Sequence, residues 1–92
     1  LRVSVSNILY NDLVGLRARI ISSTDPTHLR VEGTVVDETA RTLTLAVPGR
    51  GDRVIPKMTS TFAFFAPEEI AVEGKEISFS PEERLKRLQR RR

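Results

Sequence analysis

Fifteen lysines and arginines stand against twelve acids in 92 residues, and the chemistry open to this chain is carried by where those cations fall. Arg17, Arg19, Arg30, Arg41, Arg53 and Lys57 recur at positions that read as outward-facing. Arg84, Lys86, Arg87, Arg90, Arg91 and Arg92 crowd the last stretch, where residues 80–92 hold six bases against two acids, +4, and residues 1–79 hold nine against ten, −1. Cations spaced along a surface neutralise phosphates and release condensed counterions, an affinity that falls steeply with salt. A basic end on a near-neutral body points to a polyanionic partner more than a uniformly basic surface does.

Acid–base and nucleophilic chemistry find little support. His28 is the single histidine, and it sits in a Pro-containing loop away from any recognised Asp or Ser spacing, as an ordinary surface residue would. Asp37 and Glu38 are adjacent, so on a strand they point to opposite faces and serve a turn better than a catalytic dyad. Glu68-Glu69 and Glu82-Glu83 read as a strand start and a helix first turn. Cysteine is absent, which removes disulfides, thiolate nucleophiles and zinc–cysteine sites, and fits a cytoplasmic protein. Phosphate-cradling glycine loops between a strand and a helix are missing as well. No catalytic residue and no metal ligand is expected. One tyrosine and no tryptophan leave few rings for base stacking, so shape and backbone recognition of structured RNA fits better than reading of single-stranded bases.

The elements that must position the cations are mostly strands. In LRARIIS, Leu16, Ala18 and Ile20 alternate with Arg17 and Arg19, a half-buried strand with two arginines on its wet face. Asp25-Pro26 fixes the loop that follows. RVEGTVV puts Val31, Gly33 and Val35 on one face, and a glycine inside a strand predicts a bend, a bulge or a close backbone neighbour. DETAR turns, with Asp37 suited to bond the loop amides, and RTLTLAV returns with Leu43, Leu45 and Val47 inward. After the loop PGRGD, RVIPK is short, Pro56 making it an edge strand or a strand end, and TFAFFA and EIAVEG complete the set with Phe62 and Phe64 on one face and Ile70 and Val72 on one face of the next. Five to six short strands in one domain predict a mainly β fold, a small and strongly bent antiparallel barrel over residues 15–79.

Both flanks read as helical. Over residues 1–14, Ser6 caps a short turn, Leu9, Leu13 and Leu16 follow at i, i+4, i+7, and Gly15 ends the segment. Over residues 80–92, Ser80 caps a basic helix, Pro81 opens it and Glu83 completes a capping box. Glu82–Lys86 and Glu83–Arg87 add i, i+4 pairs of roughly 0.3–0.5 kcal/mol each. No apolar run reaches the ~18–20 residues that a membrane-spanning helix needs, and no signal-peptide pattern is present.

NDLVGL, DPTHLRVEGTVVDETARTLTL, VIPK with TFAFF, and SPEERLKR, taken in order, resemble the archaeal ribonuclease P protein component 1 family, counterparts of a conserved eukaryotic ribonuclease P/MRP subunit. The likeness runs over roughly residues 7 to 88. Asn11 stands where that family usually has a histidine, so no role of that histidine is carried over. The resemblance implies an Sm-like barrel acting as a non-catalytic subunit of ribonuclease P. There the RNA subunit, with magnesium, removes the 5′ leader of precursor tRNA, and this chain carries no cofactor of its own. Its partners would be the ribonuclease P RNA, a zinc-ribbon protein subunit and the other holoenzyme proteins, with precursor tRNA met indirectly and neither membrane nor small-molecule substrate involved. Leu9, Leu13 and Val14 are the expected protein-contact residues. Arg17, Arg19, Arg30, Arg41, Lys57, Arg84, Lys86, Arg87 and Arg90 are the expected RNA contacts, with Arg17, Arg19, Arg41 and Lys57 on one barrel face beside the C-terminal helix. Two rival readings differ in class. GTVVDETARTLTL also resembles the first signature of ring-forming Sm-like proteins, and an SH3-type barrel could bind peptides, although the aromatic count is low for its groove.

Overall fold

Alternation of apolar and polar residues becomes six strands in the computed structural model, which describes residues 13–65, 68–80 and 82–83. They are β1 (Arg17–Ser23), β2 (Glu32–Glu38), β3 (Thr42–Val47), β4 (Gly51–Pro56), β5 (Ser60–Phe65) and β6 (Glu69–Glu73). All pair antiparallel in one sheet of order β4-β3-β2-β1-β5-β6. Every strand turns one row of side chains toward a single core: Ala18 and Ile20, Val35, Leu43 and Leu45, Ile55, Phe62 and Phe64, Ile70 and Val72. One sheet can wrap one core only if it is strongly bent, so the mainly β, bent-barrel expectation holds. Phe62 and Phe64 stack at 5.8 Å between centroids and form the bulkiest apolar layer, each contributing ~1.5–3 kcal/mol by burial.

The bending devices are local. Register shifts fall between Ile20 and Ser22 on β1 and between Val35 and Asp37 on β2, where an extra residue sharpens the twist. Gly33 is the expected point of close approach: a Cβ there would overlap the carbonyl of Ala46 on β3. Gly74 plays the same part against the carbonyl of Lys57, letting the 3₁₀ turn Gly74–Ile77 pack across the link between β4 and β5.

Three expectations need correction. Asp37 and Glu38 belong to β2 rather than to the turn, and it is Thr39 whose Oγ1 accepts the amides of Arg41 (3.3 Å) and Thr42 (3.0 Å). Gly51 and Asp52 belong to β4, so the β3–β4 turn is shorter than PGRGD. Leu13 is fully buried and packs in the core, because the turn that bonds Leu16 N–H to its carbonyl (3.1 Å) aims its side chain inward. The helical readings lie mostly outside the described residues. At their borders, Gly15 has φ +98°, and the Ser80 Oγ accepts the Glu83 amide at 3.1 Å, the cap expected there. Among the described residues no helix is long and apolar enough to cross a membrane.

Candidate nucleic-acid interface

Strand β1 places Arg17 and Arg19 two residues apart, on the face opposite Ala18 and Ile20. Each finds a carboxylate on another strand, Arg17 on adjacent β2 and Arg19 across β5 on β6. Arg17 donates through Nε to Glu32 Oε2 at 2.7 Å, and its Nη2 approaches the same oxygen at 2.6 Å. The Arg19 Nη2 lies 3.3 Å from Glu69 Oε2, with the guanidinium 5.8 Å above the centre of the Phe65 ring. That cation–π contact adds about 0.5–1 kcal/mol. The Arg17 side chain remains 67% exposed and that of Arg19 37%. Exposed pairs of this kind contribute only ~0–1 kcal/mol, and a phosphate offers arginine the same forked geometry as a carboxylate. Either arginine can therefore exchange its glutamate for a phosphate at little cost.

Lys57 is a correction. Expected outward, it is fully buried, because the chain leaves β4 at Pro56 and turns inward. Its Nζ donates to Glu38 Oε2 (3.0 Å), the Thr39 carbonyl (2.6 Å) and the Phe79 carbonyl (3.1 Å), while its own amide bonds the Arg41 carbonyl (2.8 Å). An ammonium has three protons, and those three acceptors account for them. Lys57 ties β2, the β2–β3 turn and the segment after the second 3₁₀ turn together, and no phosphate can reach it.

Arg41 is exposed in the β2–β3 turn. Arg30 is exposed in the connection from β1 to β2, with φ +64°, and is the one described non-glycine residue in the left-handed region. Among the described residues, Arg30, Arg41, Arg50 and Arg53 make no ion pair. Of the expected footprint of Arg17, Arg19, Arg41 and Lys57, burial removes Lys57. In the β2–β3–β4 ladder, Arg41 lies at one end and the β3–β4 turn, with Arg50, at the other, while Arg53 sits between them on β4. Six-residue strands separate those ends by roughly 20 Å. Arg53 is not outward either: it pairs in register with buried Leu45 and so continues the inward row to the barrel mouth. Arg50 went unmarked in the sequence, although its place between Gly49 and Gly51, both at φ +76°, marks a tight exposed turn.

Around the β1–β2 connection, Asp25 caps the 3₁₀ turn Pro26–His28 by accepting from the Thr27 amide (3.0 Å) and hydroxyl (2.7 Å). Those bonds hold its carboxyl below the usual range, with smaller help from the nearby charges of His28 and Arg53. His28 is more enclosed than expected, its side chain 16% exposed and its Nε2 3.8 Å from Asp25 Oδ2. No group of three or more potential metal ligands occurs among the described residues. Of the expected protein contacts, Leu13 is core and Val14 is exposed, while Leu9 lies outside the described residues, as do Arg84, Lys86, Arg87 and Arg90.

Comparison with known proteins agrees with the barrel. Residues 6–87 match the family model described as ribonuclease P/MRP, subunit p29. The Ribonuclease P protein component 1 of Pyrococcus horikoshii is 40% identical over 90 residues, covering 94% of this chain and 68% of that protein. The protein of the same name from Desulfurococcus amylolyticus is 39% identical over 93 residues, covering 98% and 100%. A solved structure, Mth11, described as a homologue of human RNase P protein Rpp29, superposes with a TM-score of 0.60 at 32% identity, over 79% of this chain and 96% of that one. With the family model matched over residues 6–87 and relatives about 40% identical over most of its length, the chain belongs to the ribonuclease P/MRP p29 family of ribonuclease P protein subunits.

Proposed function

We propose that this chain is a non-catalytic, RNA-binding subunit of ribonuclease P that supports removal of the 5′ leader from precursor tRNA. Family membership supports the assembly, and one structural observation supports the mode of binding: arginines anchored on rigid strands hold exposed, exchangeable partners. Arg17 and Arg19 would trade Glu32 and Glu69 for phosphates of the ribonuclease P RNA, with Arg41 and the basic run Arg84, Lys86, Arg87 and Arg90 extending the contact. Such contacts favour the compact RNA by neutralising phosphates that repel one another. Hydrolysis belongs to the RNA subunit with its magnesium. Val14, exposed just before β1, together with Leu9, is the proposed contact for the zinc-ribbon subunit, and the particle works in the cytoplasm.

The test is precursor-tRNA cleavage by the cognate ribonuclease P RNA and the remaining protein subunits, with and without this chain. The expected result is faster cleavage, or cleavage at lower magnesium, only when the chain is present. Cleavage indifferent to the chain across a magnesium titration would refute the reading.

A further inference from the structure

Where the β1–β2 connection meets the β3–β4 turn, the mouth of the barrel opens into a cleft of about 440 Å³. Its lining combines aliphatic side chains, Leu29, Val31, Val47 and Pro48, with three arginines, Arg30, Arg50 and Arg53. The one carboxylate in the lining, Glu32, is already held by Arg17 at 2.7 Å, and the Asp25 carboxyl beside the cleft feels the charge of Arg53, so the arginines of the lining outnumber the carboxylates near them. The volume lies within the ~300–1,000 Å³ of small-ligand pockets.

The backbone here takes a left-handed turn held by main-chain hydrogen bonds. Arg30 sits at φ +64°, where glycine would be relaxed, and its amide is pinned to the Ile20 carbonyl at 3.0 Å while the Val31 amide bonds the His28 carbonyl at 3.2 Å. Gly49 and Gly51, both at φ +76°, fold the opposite wall back toward it. Retaining arginine at a glycine-like position, with two more arginines in the same lining, concentrates positive charge beside aliphatic side chains.

We propose that this cleft takes one unpaired nucleotide of the RNA, its phosphates on Arg30, Arg50 and Arg53 and its base on Val31 and Val47; the inference rests on the RNA-binding reading above and assigns it a second, separate contact. Duplex RNA presents phosphates but keeps its bases inside, so a duplex would leave the aliphatic lining unused. An extruded nucleotide uses both parts. With an aliphatic lining in place of a ring, the site holds a base without strong choice among the four.

The test is an NMR titration of the full 92-residue chain, observing methyl and arginine Nε signals, with three probes: hexauridylate, the abasic hexamer of equal phosphate number, and hexaglutamate. Hexauridylate is expected to shift the Leu29, Val31 and Val47 methyls. The abasic hexamer should bind several-fold more weakly and leave those methyls unmoved, and hexaglutamate should not move them. Arg50→Gln with Arg53→Gln should weaken hexauridylate binding by about tenfold or more, as loss of charge-assisted contacts does. Arg30→Gly, which relaxes the backbone and keeps the fold, should weaken it as well. Equal binding of the abasic hexamer, equal binding of hexaglutamate, or shifts confined to the Arg17–Arg19 face would overturn the proposal. The same Arg50→Gln, Arg53→Gln chain in the cleavage assay separates the two readings. Stimulation equal to that by the unaltered chain, with the cleft silent to hexauridylate, removes the cleft and leaves the subunit reading intact. Failure of the unaltered chain to stimulate cleavage removes the subunit reading.

Discussion

Two ion pairs made of the same chemistry, Lys57–Glu38 and Arg17–Glu32, have opposite meanings in this molecule. The first is closed, with both side chains fully buried and Nζ 3.0 Å from Oε2. The second is open, with a 2.6 Å contact and two-thirds of the arginine in solvent. Distance does not distinguish them; access to water does. A buried charge that loses its partner is stranded in a poorly polarisable interior, whereas an exposed one exchanges its partner for water or phosphate. Lys57 is therefore part of the fold, and Arg17 is available to a ligand.

Removing one member of the closed pair should give the largest effect. Lys57→Met leaves the Glu38 carboxylate buried beside a methyl group, with an expected loss of ~3–5 kcal/mol in urea unfolding. Adding Glu38→Leu should recover much of that loss, because two apolar residues need no partner. A single variant as stable as the unaltered chain would show that the pair is not closed in solution. Next comes the close backbone packing that places Lys57. Gly74→Ala forces a Cβ onto the Lys57 carbonyl and should lower stability by ~1–3 kcal/mol, the usual cost of overpacking, read as a fall in Tm.

The open pair should behave differently. Arg17→Gln with Arg19→Gln should change stability by no more than ~1 kcal/mol, since exposed pairs contribute little. RNA affinity should fall nevertheless. The smallest effect belongs to Asp25, whose carboxyl is held below its ordinary value of 3.8 by the Thr27 bonds. A lowered pKa adds stability above the unfolded value and loses it as pH falls through the folded one. Thermal melts of Asp25→Ala and the unaltered chain should thus differ slightly at pH 7 and converge on acidification below pH 3.8. A difference that grows toward acid would contradict the assigned bonds.

The barrel was legible because alternation is a local signal. Leu43, Leu45 and Val47, or Phe62 and Phe64, declare their face from spacing alone, and Gly33 declares a close neighbour by lacking a side chain. Lys57 was not legible. Its burial depends on Glu38, nineteen residues earlier, and on Phe79, twenty-two later, and neither partner leaves a mark beside it in the chain. Leu13 failed for a related reason, since a short turn rather than a helix face decides where it points. Arg53 was readable in principle: two residues before buried Ile55, it shares the inward row, but a charged side chain there reads as outward unless the strand end is known to lie at a mouth.

The most direct measurement is the salt dependence of binding to the cognate ribonuclease P RNA, for the unaltered chain and for Arg17→Gln with Arg19→Gln. Each phosphate contact should contribute about −0.9 to the slope of log K against log salt. Loss of both arginines should flatten it by about two units, one per contact, while Tm stays within a few degrees. An unchanged affinity and slope would contradict the claim that these open pairs are where the barrel meets RNA.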